Sequence, residues 1–176
     1  RFVTLDPASP ISLRCTEEPL GSFVLDVHLG RLARWLRLLG IDAAYSNDCD
    51  DETLANISRD EHRILLTRDR RLLMRSAVEH GHLVRTPEPR EQLSEVIRRY
   101  NLLPLFRPYT RCARCNGLLE PVSREEVAQL LQPRTAQLHT EFTRCQQCGQ
   151  VYWPGSHLRR LREILNTVQE GLLDEE

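Results

Sequence analysis

Two Cys-x-x-Cys pairs, Cys112/Cys115 and Cys145/Cys148, constrain this chain more than any other feature. Each pair lets one tight turn present two thiolates, and four thiolates at tetrahedral geometry are the usual shell of a structural zinc ion. The settings match: Arg-Cys-x-x-Cys-Asn-Gly at 111–117 and Arg-Cys-x-x-Cys-Gly at 144–149. A turn-prone residue after each second cysteine lets backbone N–H groups approach sulfur. The stretch from Asn116 to Arg144 exceeds the ~15–20 residues of compact zinc modules, so an inserted element is expected. SREEVAQLL (residues 123–131) supplies one, with Ser123 and Glu126 spaced as a capping box at a helix start. A disulfide pair or redox-active thiols are the alternatives. Six cysteines without a secretory signal argue against a disulfide framework, and a redox motif usually occurs once, at a helix start. Cys15 and Cys49 have no partner spacing and read as free thiols.

At 176 residues the chain has room for one medium domain and a small metal module. No apolar run approaches the ~18 residues of a membrane span. The chain opens on Arg1, which suggests a fragment or processed form, and residues 1–20, with Pro7, Pro10 and Pro19, read as a leader or linker. Cytoplasmic localisation is expected. A net charge of −1 does not announce a nucleic-acid binder, but all 24 basic residues are arginine, the side chain that forks onto phosphate. Acids gather at 48–52 and in the tail, which leaves the rest of the surface more basic; SHLRRLR at 156–162 is plainly so.

Between the leader and the zinc module the pattern alternates. Phe23-Val24-Leu25 predicts a buried strand ending at Asp26. Apolar residues at three- and four-residue steps predict a helix over 28–39, closed by Gly40. Residues 41–45 read as a weak strand and 52–58 as a helix. RILLT (63–67) is the strongest strand, a continuous apolar run suited to a parallel strand covered on both faces. A helix over 70–79, broken by Gly81, a short strand over 82–85 and a helix over 88–100 follow. Such alternation means βαβ units, a parallel sheet, and strand C-termini along one edge where ligands bind. The expected domains are 21–105 (α/β), 106–158 (zinc ribbon, ending on a Val151-Tyr152-Trp153 strand) and 159–176 (a last helix, capped from Ser156, and acidic tail).

Asp26, Asp51 and Asp69 fall where a small α/β domain gathers side chains at that edge. Grouped carboxylates repel one another and are stable when ionised if a cation sits among them. Hard oxygen ligands suit Mg²⁺ or Mn²⁺, which also hold phosphate oxygens. Each acid has a plainer reading: Asp69 and one of Asp48 or Asp50 as helix caps, Asp26 as a turn residue. Arg31, Arg34 and Arg37 recur every third residue on the first helix, and Arg68 and Arg70 flank Asp69; they either hold phosphate or neutralise acids.

The run from Phe23 to Leu73, with DVHLGRLARWLRLLG, DETL and LLTRD, followed by RCxxCN and YWPGSH, resembles the Mut-seven carboxy-terminal RNase family across about residues 21–165. The resemblance implies a PIN-like Rossmannoid three-layer domain with a short parallel sheet, then a C-terminal zinc ribbon. It implies Mg²⁺- or Mn²⁺-dependent cleavage of RNA, with Asp26, Asp51 and Asp69 as catalytic metal-holding acids, Thr67 as a hydrogen-bonding neighbour, and Cys112, Cys115, Cys145 and Cys148 on structural zinc. Arg34, Arg37 and Arg68 are the candidate phosphate-binding residues. PIN domains often carry a fourth acid after a later strand; here Glu88 is the nearest. Members also often carry an upstream ubiquitin-like domain. The competing expectations are a non-catalytic RNA-binding or adaptor protein and a zinc module that recruits a protein partner through Tyr152, Trp153 and the last helix.

Overall fold

The computed structural model describes residues 21–154 together with Leu165 and Asn166. The leader, the Ser156 cap and the basic 156–162 stretch lie outside the described residues.

Four short strands, β1 (Ser22–Leu25), β2 (Asp42–Tyr45), β3 (Ile64–Thr67) and β4 (Gly81–Leu83), form one parallel sheet in the order β2-β1-β3-β4. Side chains alternate across the pleat. Phe23, Leu25, Ile64 and Leu66 pack on one face with α1 (Gly30–Leu38) and α4 (Pro89–Arg99). Val24 and Leu65 pack on the other face with α2 (Asp51–Asp60) and α3 (Arg70–Leu73). The result is the three-layer α/β arrangement that the apolar runs imply, since a strand buried on both faces has no polar side to show.

The local elements follow from caps and turns. Gly40 ends the first helix at φ 85°, and a Cβ there would stand 2.1 Å from the Arg107 carbonyl, so only glycine allows the chain to pass so close. Asp50, of the two candidates, caps α2 by accepting from Thr53 N–H at 2.8 Å. The helix expected over 70–79 stops at Leu73. Beyond it Ala77 and Val78 pack on the Val24–Leu65 cluster. Tertiary packing of this segment overrides its helix propensity. Gly81 then opens a strand.

The second module is an antiparallel sheet of β5 (Leu119–Val122), β6 (Phe142–Cys145) and β7 (Val151–Tyr152), with α5 (Arg124–Val127) and α6 (Pro133–Leu138) inserted between β5 and β6. The Ser123–Glu126 capping box is formed in both directions. Among the described residues no helix is long and apolar enough to cross a membrane.

The two modules meet along β2, the outer strand of the parallel sheet. Such an edge leaves backbone groups unpaired. Ala43 N–H donates to Asn116 Oδ1 at 3.1 Å, and Ala43 C=O accepts from Arg37 Nε at 2.7 Å. Arg37 Nη1 also donates to the carbonyls of Arg114 at 2.9 Å and Ala113 at 3.4 Å. Asp42 accepts from Arg63 (2.6 Å), Asn116 (2.8 Å) and Arg111 (3.2 Å). A strand edge is thus closed by side chains of the first cysteine turn. Asp42 is a residue that pattern reading passed over, and Asn116 was read only as the turn residue after Cys115.

Candidate active site and metal centre

In a 2-1-3-4 sheet the helix after β1 lies on one face and the helix after β3 on the other, so a crevice opens between the C-terminal ends of those neighbouring strands. Asp26 and Asp69 leave β1 and β3 there. Asp26 is 3% exposed. Its Oδ1 accepts from His28 N–H at 2.7 Å, and its Oδ2 accepts from Arg68 N–H at 2.8 Å and from the Thr67 hydroxyl. Thr67 Oγ1 in turn accepts from Asp69 N–H at 2.9 Å. One buried threonine therefore ties both acidic turns together.

Asp69 Oδ1 accepts from Arg71 N–H at 2.8 Å and caps α3, so the capping role is real; its second oxygen is left for other partners. Asp51 opens α2 on the surface, with its Oδ2 at 3.9 Å from Arg75 Nη2. Among the described residues Asp26, Asp51 and Asp69 do not form an ion-sized group of ligand atoms; the cysteine quartet does.

Three residues that the pattern did not single out stand at this edge. His28 Nδ1 lies 3.3 Å from Asp26 Oδ1, with the ring largely exposed. The Tyr45 hydroxyl donates to the Asn47 side chain at 2.6 Å. Arg75 reaches Asp51 from the turn that replaced the expected helix. His28 was readable as the third residue of D-x-H after a strand; Arg75 was not, because the helix assigned to it is absent. Glu88 is exposed at the start of α4, and its neighbour Glu91 accepts from the Thr86 hydroxyl.

The three arginines expected to hold phosphate separate. Arg34 and Arg68 are exposed. Arg37 is a correction: it is 3% exposed, and its Nε and Nη1 donate to the carbonyls of Ala43, Ala113 and Arg114. A cation so enclosed joins the two modules and is shut away from a substrate.

In the second module Cys112, Cys115, Cys145 and Cys148 bring their sulfurs within 4.8 Å of one another. The pairs Cys112–Cys148 and Cys115–Cys145 stand 3.6 Å and 3.4 Å apart. The two turns repeat one hydrogen-bond pattern. Cys112 N–H donates to Gly117 C=O and Asn116 N–H to Cys112 C=O, at 2.7 and 2.9 Å. Cys145 N–H donates to Gln150 C=O and Gly149 N–H to Cys145 C=O, at 2.9 and 3.0 Å. Asn116 and Gly149 both adopt positive φ, 72° and 71°, as the turn demands.

Burial raises the Cys112 thiol, but the Tyr152 hydroxyl and the backbone N–H groups of Cys115 and Arg114 outweigh it and bring it down to about 7. Burial and the neighbouring sulfurs push Cys115 up to about 12. Four thiolates cannot share this space without a cation, and a soft tetrahedral set suits zinc. The quartet thus fits the structural ion of a zinc ribbon.

No curated protein and no solved structure matches the chain. One family model does, that of the Mut7-C RNAse domain, over residues 21–165, a span that takes in the acidic sheet edge, the seam along β2 and all four cysteines. The chain belongs to the Mut7-C RNAse domain family.

Proposed function

We propose that this protein is a divalent-metal-dependent ribonuclease that hydrolyses RNA phosphodiesters at the C-terminal edge of the parallel sheet, with zinc as a structural ion in the ribbon. The observation that carries this reading is the state of Asp26. It is buried, and its partners are a hydroxyl, two backbone N–H groups and an imidazole that is charged only when protonated. An enclosed carboxylate ordinarily finds a full cationic partner. The carboxyl oxygens of Asp26, Asp51 and Asp69 are the hard donors that Mg²⁺ or Mn²⁺ prefers, and these residues would hold it. When bound, such an ion polarises the phosphodiester and makes water a better nucleophile.

The chain's own residues do the rest. Thr67 and the N–H groups of His28 and Arg68 fix the Asp26 carboxylate in one orientation. Arg34 and Arg68 offer exposed guanidiniums to the phosphate backbone of RNA. Reduced thiols in the ribbon suit a reducing compartment such as the cytoplasm.

A second reading, RNA binding without turnover, is favoured by one observation: the aspartates do not form an ion-sized ligand group among the described residues. The test is RNA cleavage by zinc-loaded wild type and Asp69→Asn, with and without Mg²⁺ or Mn²⁺. The proposal expects cleavage that needs the divalent ion and is lost in the variant. Equal cleavage by both proteins removes the carboxylates from the mechanism, and no cleavage by either leaves the second reading.

A further inference from the structure

A groove of about 790 Å³ runs between α1 and the ribbon, within the ~300–1,000 Å³ range of ligand clefts. Neither module makes it alone: Arg34 and Leu38 come from α1, Arg114 from the first cysteine turn, and Tyr152 and Trp153 from the end of β7. Resting on the ribonuclease reading above, we propose that this groove binds single-stranded RNA, with Arg34 and Arg114 on phosphates and Trp153 stacked on a base.

Charge is the first support. Arg59, Arg63, Arg75, Arg111 and Arg144 each stand against a carboxylate. Arg34 and Arg114 are exposed and make no ion pair among the described residues. Two such guanidiniums in one groove, donated by two modules, form a phosphate site. Arg114 is also held in place, since its carbonyl accepts from the buried Arg37 at 2.9 Å.

Trp153 is the second. It is 40% exposed although most large apolar side chains among the described residues are covered. An indole at the wall of a basic groove is the platform on which bases stack, and stacking tolerates any sequence. A duplex keeps its bases inside, so the occupant that satisfies both features is single-stranded.

Position is the third. α1 starts just after the turn that carries Asp26, and Arg34 lies ~6 Å along the helix axis from Gly30. Arg31, exposed three residues earlier, bridges the interval. A strand cut at the sheet edge would run along α1 into the groove. Glu141 is the acid among the lining residues, and it opposes phosphate there.

The test is anisotropy of a fluorescein-labelled oligouridine of about twelve nucleotides, titrated with zinc-loaded protein in the Asp26→Asn background at several salt concentrations. Arg34→Ala/Arg114→Ala should weaken binding about 10-fold or more and reduce the salt slope by about 1.4, the value for two phosphate contacts on a single strand. Trp153→Ala should weaken it about 10-fold with the slope unchanged, and Trp153→Phe should restore most of the loss. Glu141→Gln should tighten binding, an outcome that misfolding cannot imitate. Affinity and salt slope unchanged in both the double arginine variant and Trp153→Ala would overturn the groove. Cleavage by wild type is read separately: if RNA is cut while these variants bind normally, the groove fails and the nuclease stands. If RNA is never cut but the variants bind weakly, the nuclease fails and the groove stands.

Discussion

Asp26 and Asp42 sit on neighbouring strands of one sheet and live in opposite surroundings. Asp42, on the lateral edge, is enclosed by Arg63, Arg111 and Asn116. Its charge is balanced within the chain and its oxygens are taken. Asp26, at the C-terminal edge, is more deeply buried, yet among the described residues it faces only a threonine hydroxyl, two N–H groups and His28. A protein that supplies two arginines to one carboxylate and none to the other has treated the first as structure and left the second for an outside cation. The arginines divide in the same way: Arg37 is enclosed at the seam, while Arg34, one turn away on the same helix, is open.

The largest effect should come from the ribbon side. Structural zinc contributes on the order of 10 kcal/mol in small modules. Chelation, or Cys145→Ser, should therefore abolish the ribbon's dispersed NMR signals. Because Asn116 and Arg111 close the β2 edge, the α/β part should also lose stability, seen as a lower melting temperature. A ribbon that stays folded without zinc would remove the metal from this picture.

Next in size is the contrast on α1. Arg37→Ala leaves three carbonyls without their donor and should cost about 3 kcal/mol in urea unfolding. Arg34→Ala should stay within about 0.5 kcal/mol, as for an unpaired surface side chain. Comparable losses would erase the distinction between a seam and a surface.

On the acidic side, Asp26→Asn should lower RNA cleavage by about 100-fold, the scale of removing one preorganised electrostatic group. Asp42→Asn should cost about 2 kcal/mol for charged hydrogen bonds lost. Its pH dependence gives a sharper check. Burial raises the Asp42 carboxyl, but hydrogen bonds from Arg63 and Asn116 and the charges of Arg63 and Arg111 outweigh it and hold it below the ordinary value of 3.8. A carboxylate lowered by folding stabilises the native state above its unfolded value and loses that contribution as acid titrates it. The difference in unfolding free energy between wild type and Asp42→Asn should be full at neutral pH and shrink only below pH 3.8.

The sheet, its covering helices and the cysteine quartet were legible in the sequence because each rests on a local signal: an apolar run, a cap, a ligand spacing. The short third helix was not, since Ala77 and Val78 answer to the sheet face rather than to their neighbours in sequence. Arg37 was misread for a geometric reason. Residues three apart on a helix drift by about 60° per step, so the third member of the Arg31–Arg34–Arg37 series turns into the β2 seam while the first two face outward. Asp42 and Asn116 meet across the interface, more than seventy residues apart in sequence, where no local pattern reports the contact. At the acidic edge pattern reading found Asp26, Asp69 and Thr67 but not Arg75, whose approach to Asp51 exists only once the turn after α3 is folded.

The most direct measurement is Mn²⁺ binding to the zinc-loaded protein, followed by electron paramagnetic resonance of the free ion. Wild type should remove Mn²⁺ from solution, and Asp26→Asn should bind it at least tenfold more weakly while Asp42→Asn binds it like wild type. Mn²⁺ binding that is absent in wild type, or equal in wild type and Asp26→Asn, would contradict the claim that the buried acid awaits an outside cation.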